Sequence, residues 1–228
     1  MKIAAYHISI GNATDVGKVR QHNEDYMAHF LTPIGYCTVV CDGMGGNVAG
    51  EEASQNAVAA IKYFLQDDKN KDNSIPAALK NAVEFANYQL REMAQQNPAL
   101  KGMGTTCVLA LINKGAMYVA HIGDSRLYLI RDKKIQQITK DHSTVQSLID
   151  TGALTEKEAE QSDKKNQITK AIGIFKKAEP TVTASAIPLM KNDTILLCSD
   201  GLTGHVNKQT IYEIVNVNDD VQLAAMEH

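Results

Sequence analysis

The chain has no tryptophan, and its eight tyrosines and four phenylalanines leave aromatics at only 5% of 228 residues. A core built on large rings is therefore excluded, and small and aliphatic residues must fill it. Only five prolines occur, too few for a Pro-rich linker or a low-complexity tract. No apolar run approaches the ~20 residues that span a bilayer, and Met1-Lys-Ile-Ala-Ala-Tyr-His has no signal-like apolar stretch. Charge of one sign is lacking as well. Lys and Arg total 23 against 26 acids, a net charge of −3, so neither nucleic acid nor an anionic membrane is an expected partner. The four cysteines (37, 41, 107 and 198) form no Cys-x-x-Cys pair. Cys37 and Cys41, four apart on one strand face, are read as reduced core thiols of a cytoplasmic protein rather than a zinc site.

What is present is an ordinary globular balance, 44% apolar and 21% charged, and a length suited to one domain, residues 1–228. Residues 3–10 and Tyr26–Leu31 read as strands, and Thr32-Pro-Ile-Gly35 as a hairpin turn into a strand over 36–41. From Gly50 to Leu65 the period changes from two to 3.6, with Ala53, Ala57, Ile61 and Leu65 on one face. Ser74 and Pro76 open a second helix whose stripe is Leu79, Val83, Ala86, Leu90 and Met93. Runs 105–112, 116–122, 126–131 and 134–138 predict an antiparallel meander, its first two strands apolar on both faces and so buried on both. Residues 141–178 are polar, hold two short helices near 143–151 and 155–161, and form a flap within the domain. Strands over 181–187 and 194–198 and a helix over 207–215 complete an α+β chain.

The organising feature is Val39-Val-Cys-Asp42-Gly-Met-Gly-Gly46, where a β-branched run stops at an acid followed by glycines. A single Asp-Gly after a strand is a turn. Here the design recurs at Leu197-Cys-Ser-Asp200-Gly201 and, as a variant, at Ile122-Gly-Asp124, while Glu24-Asp25 supplies another acidic pair. Carboxylates at several strand ends, with glycines admitting the backbone, are what a hard divalent cation needs.

Arg20-x-x-Asn-Glu-Asp25, Asp42-Gly-Met-Gly-Gly, Met103-Gly-Thr-Thr106, His121-Ile-Gly-Asp-Ser-Arg126, Asp141-His-Ser and Ser199-Asp-Gly-Leu202 stand in this order. Together they resemble the PPM-type (type 2C) metal-dependent Ser/Thr protein phosphatases, bacterial stand-alone members above all. The resemblance implies a four-layer α/β/β/α sandwich of two antiparallel sheets flanked by helices. It implies hydrolysis of phosphoserine and phosphothreonine in proteins, by water bridging two Mg²⁺ or Mn²⁺ ions. Asp42 matches the bridging carboxylate, the Gly43 carbonyl and Asp25 match the second metal's site, with Glu24 as a helper, and Asp200 matches the first metal's. Asp124 matches a third, weaker site, and Arg20 the residue that receives substrate phosphate. A cognate Ser/Thr kinase and its substrates are the implied partners of a monomeric enzyme.

Plainer readings stand beside these. Arg20 could be a surface cation paired with Glu24, Asp124 a turn former, Thr105 and Thr106 strand residues, and His121 a satisfied core imidazole. Two departures from the family pattern matter. Met44 stands where some eukaryotic members carry a proton-donating histidine. The family's closing Gly-Gly-x-Asp-Asn segment, whose first Asp ligates the first metal, and its last strand are absent from the 228 residues. Asp219 and Asp220 lack that context and are not substitutes. The expectation is a site short of one ligand, and the alternative function is a catalytically impaired domain that binds phosphoproteins or regulates a partner.

Overall fold

A computed structural model describes residues 2–3, 6–46, 48–218 and 220–226; Asp219 and residues 4 and 5 of the expected first strand lie outside them. That expected strand is instead a small hairpin, β1 (Lys2–Ile3) with β2 (Tyr6–His7). The chain then lays down β3 (Asp25–Thr32) and β4 (Gly35–Met44) around the Thr32–Gly35 turn, where Thr32 Oγ1 donates to the Gly35 carbonyl. Helices α1 (Val48–Gln66) and α2 (Ile75–Gln96) follow. Ser74 stands at the α2 N-cap with Pro76 in the first turn, though its side chain makes no capping bond.

Beyond Asn97 come β5 (Gly104–Thr105), β6 (Cys107–Asn113), β7 (Ala116–Ile122), β8 (Arg126–Arg131) and β9 (Lys134–Gln137). Two short helices, α3 (Thr144–Asp150) and α4 (Glu156–Glu160), occupy the polar segment, each with a side-chain cap from Ser143 or Thr155. The chain closes with β10 (Thr181–Val182), β11 (Ile187–Pro188), β12 (Thr194–Cys198), α5 (Asp200–Thr203), α6 (Lys208–Val217) and α7 (Val221–Met226).

The strands form a larger antiparallel sheet, ordered β10-β7-β6-β4-β3 with β5 beside β4 and β11 beside β7, and a three-stranded sheet ordered β12-β8-β9. The expected meander is thus divided. Period two tells which face a residue takes but not which sheet its strand joins. The break falls at Gly123, whose φ of +97° lets the chain leave one sheet for the other. The single strand expected over 181–187 is likewise two fragments, both paired to β7.

One core lies between the larger sheet and the α1/α2 pair. Ala53, Ala57, Ala78, Ala82 and Ala86 are buried there, small enough for the helices to approach closely. Cys37, Cys41 and Cys107 belong to this core, and all four cysteines are buried free thiols. A second core lies between the sheets, where Val108, Ala110, Met117, Val119 and Leu127 meet Ile195 and Leu197. This double burial of β6 and β7 is what their continuous apolar runs predict. Among the described residues no helix is long and apolar enough to cross a membrane.

Candidate metal and phosphate site

Asp25 opens β3 and Asp42 lies near the end of β4, directly opposite each other in the antiparallel register. Cross-strand partners share a face, so two carboxylates separated by sixteen residues of chain become neighbours. Asp200 opens α5 straight after β12, and Asp124 occupies the turn between β7 and β8. The fold therefore brings four separate strand ends to one bay.

Their electrostatics show the crowding. Burial, then Asp25 and Asp200, push the Asp42 carboxyl up to about 9. Burial also raises Asp25, helped by Asp200 and opposed by a hydrogen bond that Ser199 Oγ donates to its Oδ2 at 2.6 Å. Asp124 is pushed up to about 6, by burial first and then by Asp200 and Asp141. Clustered, half-dehydrated carboxylates raise one another because each disfavours its neighbour's charge. Glu24 adds a buried Oε1 that has no hydrogen-bond partner among the described residues.

This donor set fits a hard divalent cation: all oxygen, mutually repelling as it stands, and with one carboxylate oxygen unsatisfied. Among the described residues no three acidic, histidine or cysteine side chains meet in a closed chelating cluster. The carboxylates face one another across a bay, which suits an ion that keeps several of its waters.

The backbone of Asp42 is held by a network that sequence reading credited only to strand formation. Thr105 Oγ1 donates to the Asp42 carbonyl at 2.8 Å, and the Thr106 amide donates to it at 2.9 Å. Asp42 N donates to Thr106 Oγ1 at 3.0 Å, and that hydroxyl lies 2.6 Å from Ser125 Oγ, next to Asp124. Thr105 and Thr106 are thus structural, as expected, but the structure they hold is the site. Ser125 and Ser199 were missed; the available signal was a serine adjoining each acid in Asp124-Ser and Ser-Asp200.

Arg20 is 68% exposed on its side chain and pairs with Glu24 Oε2. Both readings of Arg20 meet here: the Glu24 side chain is only 11% exposed, but the guanidinium end of the pair stands in solvent, where screening weakens the attraction and leaves Arg20 able to exchange partners. Arg20, Gln21, His22, Glu24 and Gly46 line an open cavity of about 290 Å³ beside the acids. A larger cavity, about 470 Å³, lies far from these acids, between Lys133–Ile135 and α6, and has no carboxylate in its lining.

The Gly123 turn is braced from behind. His142 Nδ1 accepts from the Gly123 amide at 3.2 Å, its Nε2 meets Thr181 Oγ1 at 2.9 Å, and its ring stacks on His121 at 4.7 Å. His121 Nε2 donates to the Lys140 carbonyl at 2.8 Å, so it is a satisfied core imidazole, as expected. Burial, then His121 and Lys170, hold His142 down at about 4 against an ordinary 6.5. The folded protein binds fewer protons than the unfolded chain between these values, so this contribution to stability is intact above pH 6.5 and is lost as pH falls toward 4. Thermal melts across that window should show it, and a His142→Asn variant should lack that component; parallel pH profiles for the two proteins would refute it.

Two facing antiparallel sheets with acids at their strand ends are an arrangement suited to divalent-cation chemistry on anionic substrates. A sequence profile described as protein phosphatase 2C matches residues 17–224. The protein phosphatase PhpP of Streptococcus pneumoniae is 38% identical over 220 residues, covering 95% of this chain and 87% of PhpP. The Ser/Thr phosphatase stp of Listeria monocytogenes is 35% identical over 208 residues, covering 89% and 81%. Among solved structures, Stp1 from Staphylococcus aureus superposes with a TM-score of 0.83 at 34% identity, over 99% of this chain and 91% of that one. The catalytic domain of PstP, solved in complex with two manganese ions, gives 0.79 at 36% identity, over 92% and 85%. The chain belongs to the protein phosphatase 2C family.

Proposed function

We propose that this protein hydrolyses phosphoserine and phosphothreonine in proteins with two divalent cations, Mg²⁺ or Mn²⁺. The observation that carries the reading is the convergence of Asp25, Asp42, Asp124 and Asp200 from four separate strand ends. Asp42, Asp25, Asp200 and the Gly43 carbonyl would hold the two ions. Asp124 would serve a third, weaker site. Such ions supply neutralisation of the phosphoryl charge and a water acidic enough to attack at neutral pH.

The chain's own residues do the rest. Thr105 and Thr106 fix Asp42, Ser199 orients Asp25, and Arg20 leaves Glu24 to receive the substrate phosphate through its planar fork. Met44 has no proton to give, so protonation of the departing alkoxide would fall to a water held at the site. In this reading the enzyme works as a cytoplasmic monomer against a Ser/Thr kinase. The second reading, an impaired phosphoprotein-binding domain, draws on the absence of a closed chelating cluster among the described residues.

Hydrolysis of p-nitrophenyl phosphate by the 228-residue chain, with and without millimolar Mn²⁺, separates the two. Metal-dependent turnover supports the enzyme. No turnover with a Mn²⁺-dependent rise in Tm supports the impaired domain, because ligand binding stabilises by mass action. Neither effect would overturn both readings.

A further inference from the structure

Asn87 sits in the middle of α2 and is 3% exposed. An asparagine there weakens the helix, and its buried amide needs partners. It finds all of them on one backbone turn. Its Oδ1 accepts from the Gly173 amide at 2.8 Å, while Nδ2 donates to the Phe175 carbonyl at 3.2 Å and lies 3.5 Å from the Lys176 carbonyl. Because the partners are main-chain atoms, Asn87 fixes the path of the turn and leaves its side chains free. Gly173 complies with a φ of +89°, and a Cβ there would stand 2.7 Å from the Met103 carbonyl oxygen.

The turn is anchored on both sides and exposed between. Ile172 and Ala178 are buried, whereas Ile174 and Phe175 are 40% and 49% exposed and Lys176 and Lys177 lie in solvent. Its first anchor reaches the catalytic strand. Thr105 N donates to the Ile172 carbonyl at 3.0 Å and Ile172 N to the Thr105 carbonyl at 2.9 Å. Thr105 faces Gly43, and Gly104 faces Met44, in the β4–β5 register. The Ile174 side chain covers Gly104 so closely that a Cβ there would stand 2.7 Å from Ile174 Cδ1. Ile174 thereby packs on β5, the neighbour of the strand end that carries Asp42, and the same turn exposes Phe175 and two lysines to solvent.

We propose that Asn87 is a positioning residue that sets the Gly173–Lys177 turn, and that this turn reads apolar and acidic residues flanking the phosphorylated Ser or Thr of a protein substrate. The occupant follows from charge complementarity. A paired cation on a chain of net charge −3 offers local attraction to an acidic segment that the carboxylate bay would otherwise repel. The inference rests on the Ser/Thr phosphatase reading and deepens it.

The test compares kcat/KM for p-nitrophenyl phosphate and for two phosphothreonine peptides, one with acidic and one with basic flanks, in wild type, Asn87→Asp and a Lys176→Glu/Lys177→Glu double variant. The double variant should lower the acidic-over-basic preference about 10-fold, beyond any change with p-nitrophenyl phosphate. Asn87→Asp, which keeps the acceptor and loses the donor, should lower the same preference and speed amide exchange in residues 173–177. An unchanged preference in the double variant overturns the reading surface. A uniform loss on all three substrates in Asn87→Asp overturns the positioning role and leaves Asn87 a packing residue. If wild type turns over none of the three, the phosphatase reading falls instead. Equilibrium binding of the two peptides then decides the surface, and equal affinities refute it.

Discussion

An Asp42→Asn variant is expected to lose more than about nine-tenths of the metal-dependent turnover of p-nitrophenyl phosphate. It should nevertheless melt higher than wild type when both are free of metal. The two effects share one cause. Asp42 is buried against Asp25 and Asp200, and its carboxyl is pushed up to about 9 from an ordinary 3.8. In the metal-free protein it must hold a proton that the unfolded chain does not, so this residue's contribution to stability falls as pH rises from 3.8 toward 9. Asparagine has no such charge to suppress, and the advantage of the variant should widen with pH across that window. Divalent metal reverses the order, because the cation takes the place of the proton and wild type gains more from it. Melting curves at pH 6 and 8, each with and without Mn²⁺, read all four states. An equal Mn²⁺-dependent rise in the two proteins would remove Asp42 from the metal site.

Much of this arrangement is legible in the chain because it depends on local chemistry. An acid just past an apolar strand run, with a glycine on one side of it, marks a strand end whichever sheet the strand joins, so Asp42, Asp124 and Asp200 could be picked out. The change of period at Gly50 and the Ser74-Pro76 signal located α1 and α2 for the same reason. Relations between distant segments are what resists reading. Nothing local says that β8 leaves the sheet of β7, that Asp25 stands opposite Asp42, or that Asn87 holds a turn 86 residues away. Ser125 and Ser199 escaped, and Thr105 and Thr106 were credited with strand structure alone, because each is an ordinary residue for its place and gains its role only through the acid or hydroxyl it touches. Polarity suggested a flap over 141–178, but it could not reveal that Ile172 in this segment pairs with Thr105 beside the site.

Gly43 answers to packing as well as to the role expected of it. Its missing side chain was expected to let a carbonyl reach a cation; the structure gives packing as a further demand. A Cβ on Gly43 would stand 1.9 Å from the Gly50 carbonyl oxygen and 2.8 Å from that of Glu24. Both are backbone atoms, fixed by α1 and by the bond from Gly43 N to the Glu24 carbonyl, so neither can rotate away. Gly43→Ala should therefore cost about 3 kcal/mol, the upper end of the overpacking range, and push α1 off the strand end that carries Asp42, with activity falling further than stability. Gly50→Ala should cost less. The atom in its way, 2.2 Å distant, is the Glu24 Oε1 carboxylate oxygen, which can swing aside. The displaced carboxylate should then weaken Mn²⁺ binding, read as a smaller Mn²⁺-dependent rise in Tm. Gly46 meets nothing within 4 Å, and its φ of +79° leaves only backbone strain, about 1 kcal/mol for alanine. Chemical denaturation of the three variants should rank them Gly43, then Gly50, then Gly46. A Gly43→Ala protein within about 1 kcal/mol of wild type would show that α1 is not wedged against the site, and that the glycine serves the cation alone.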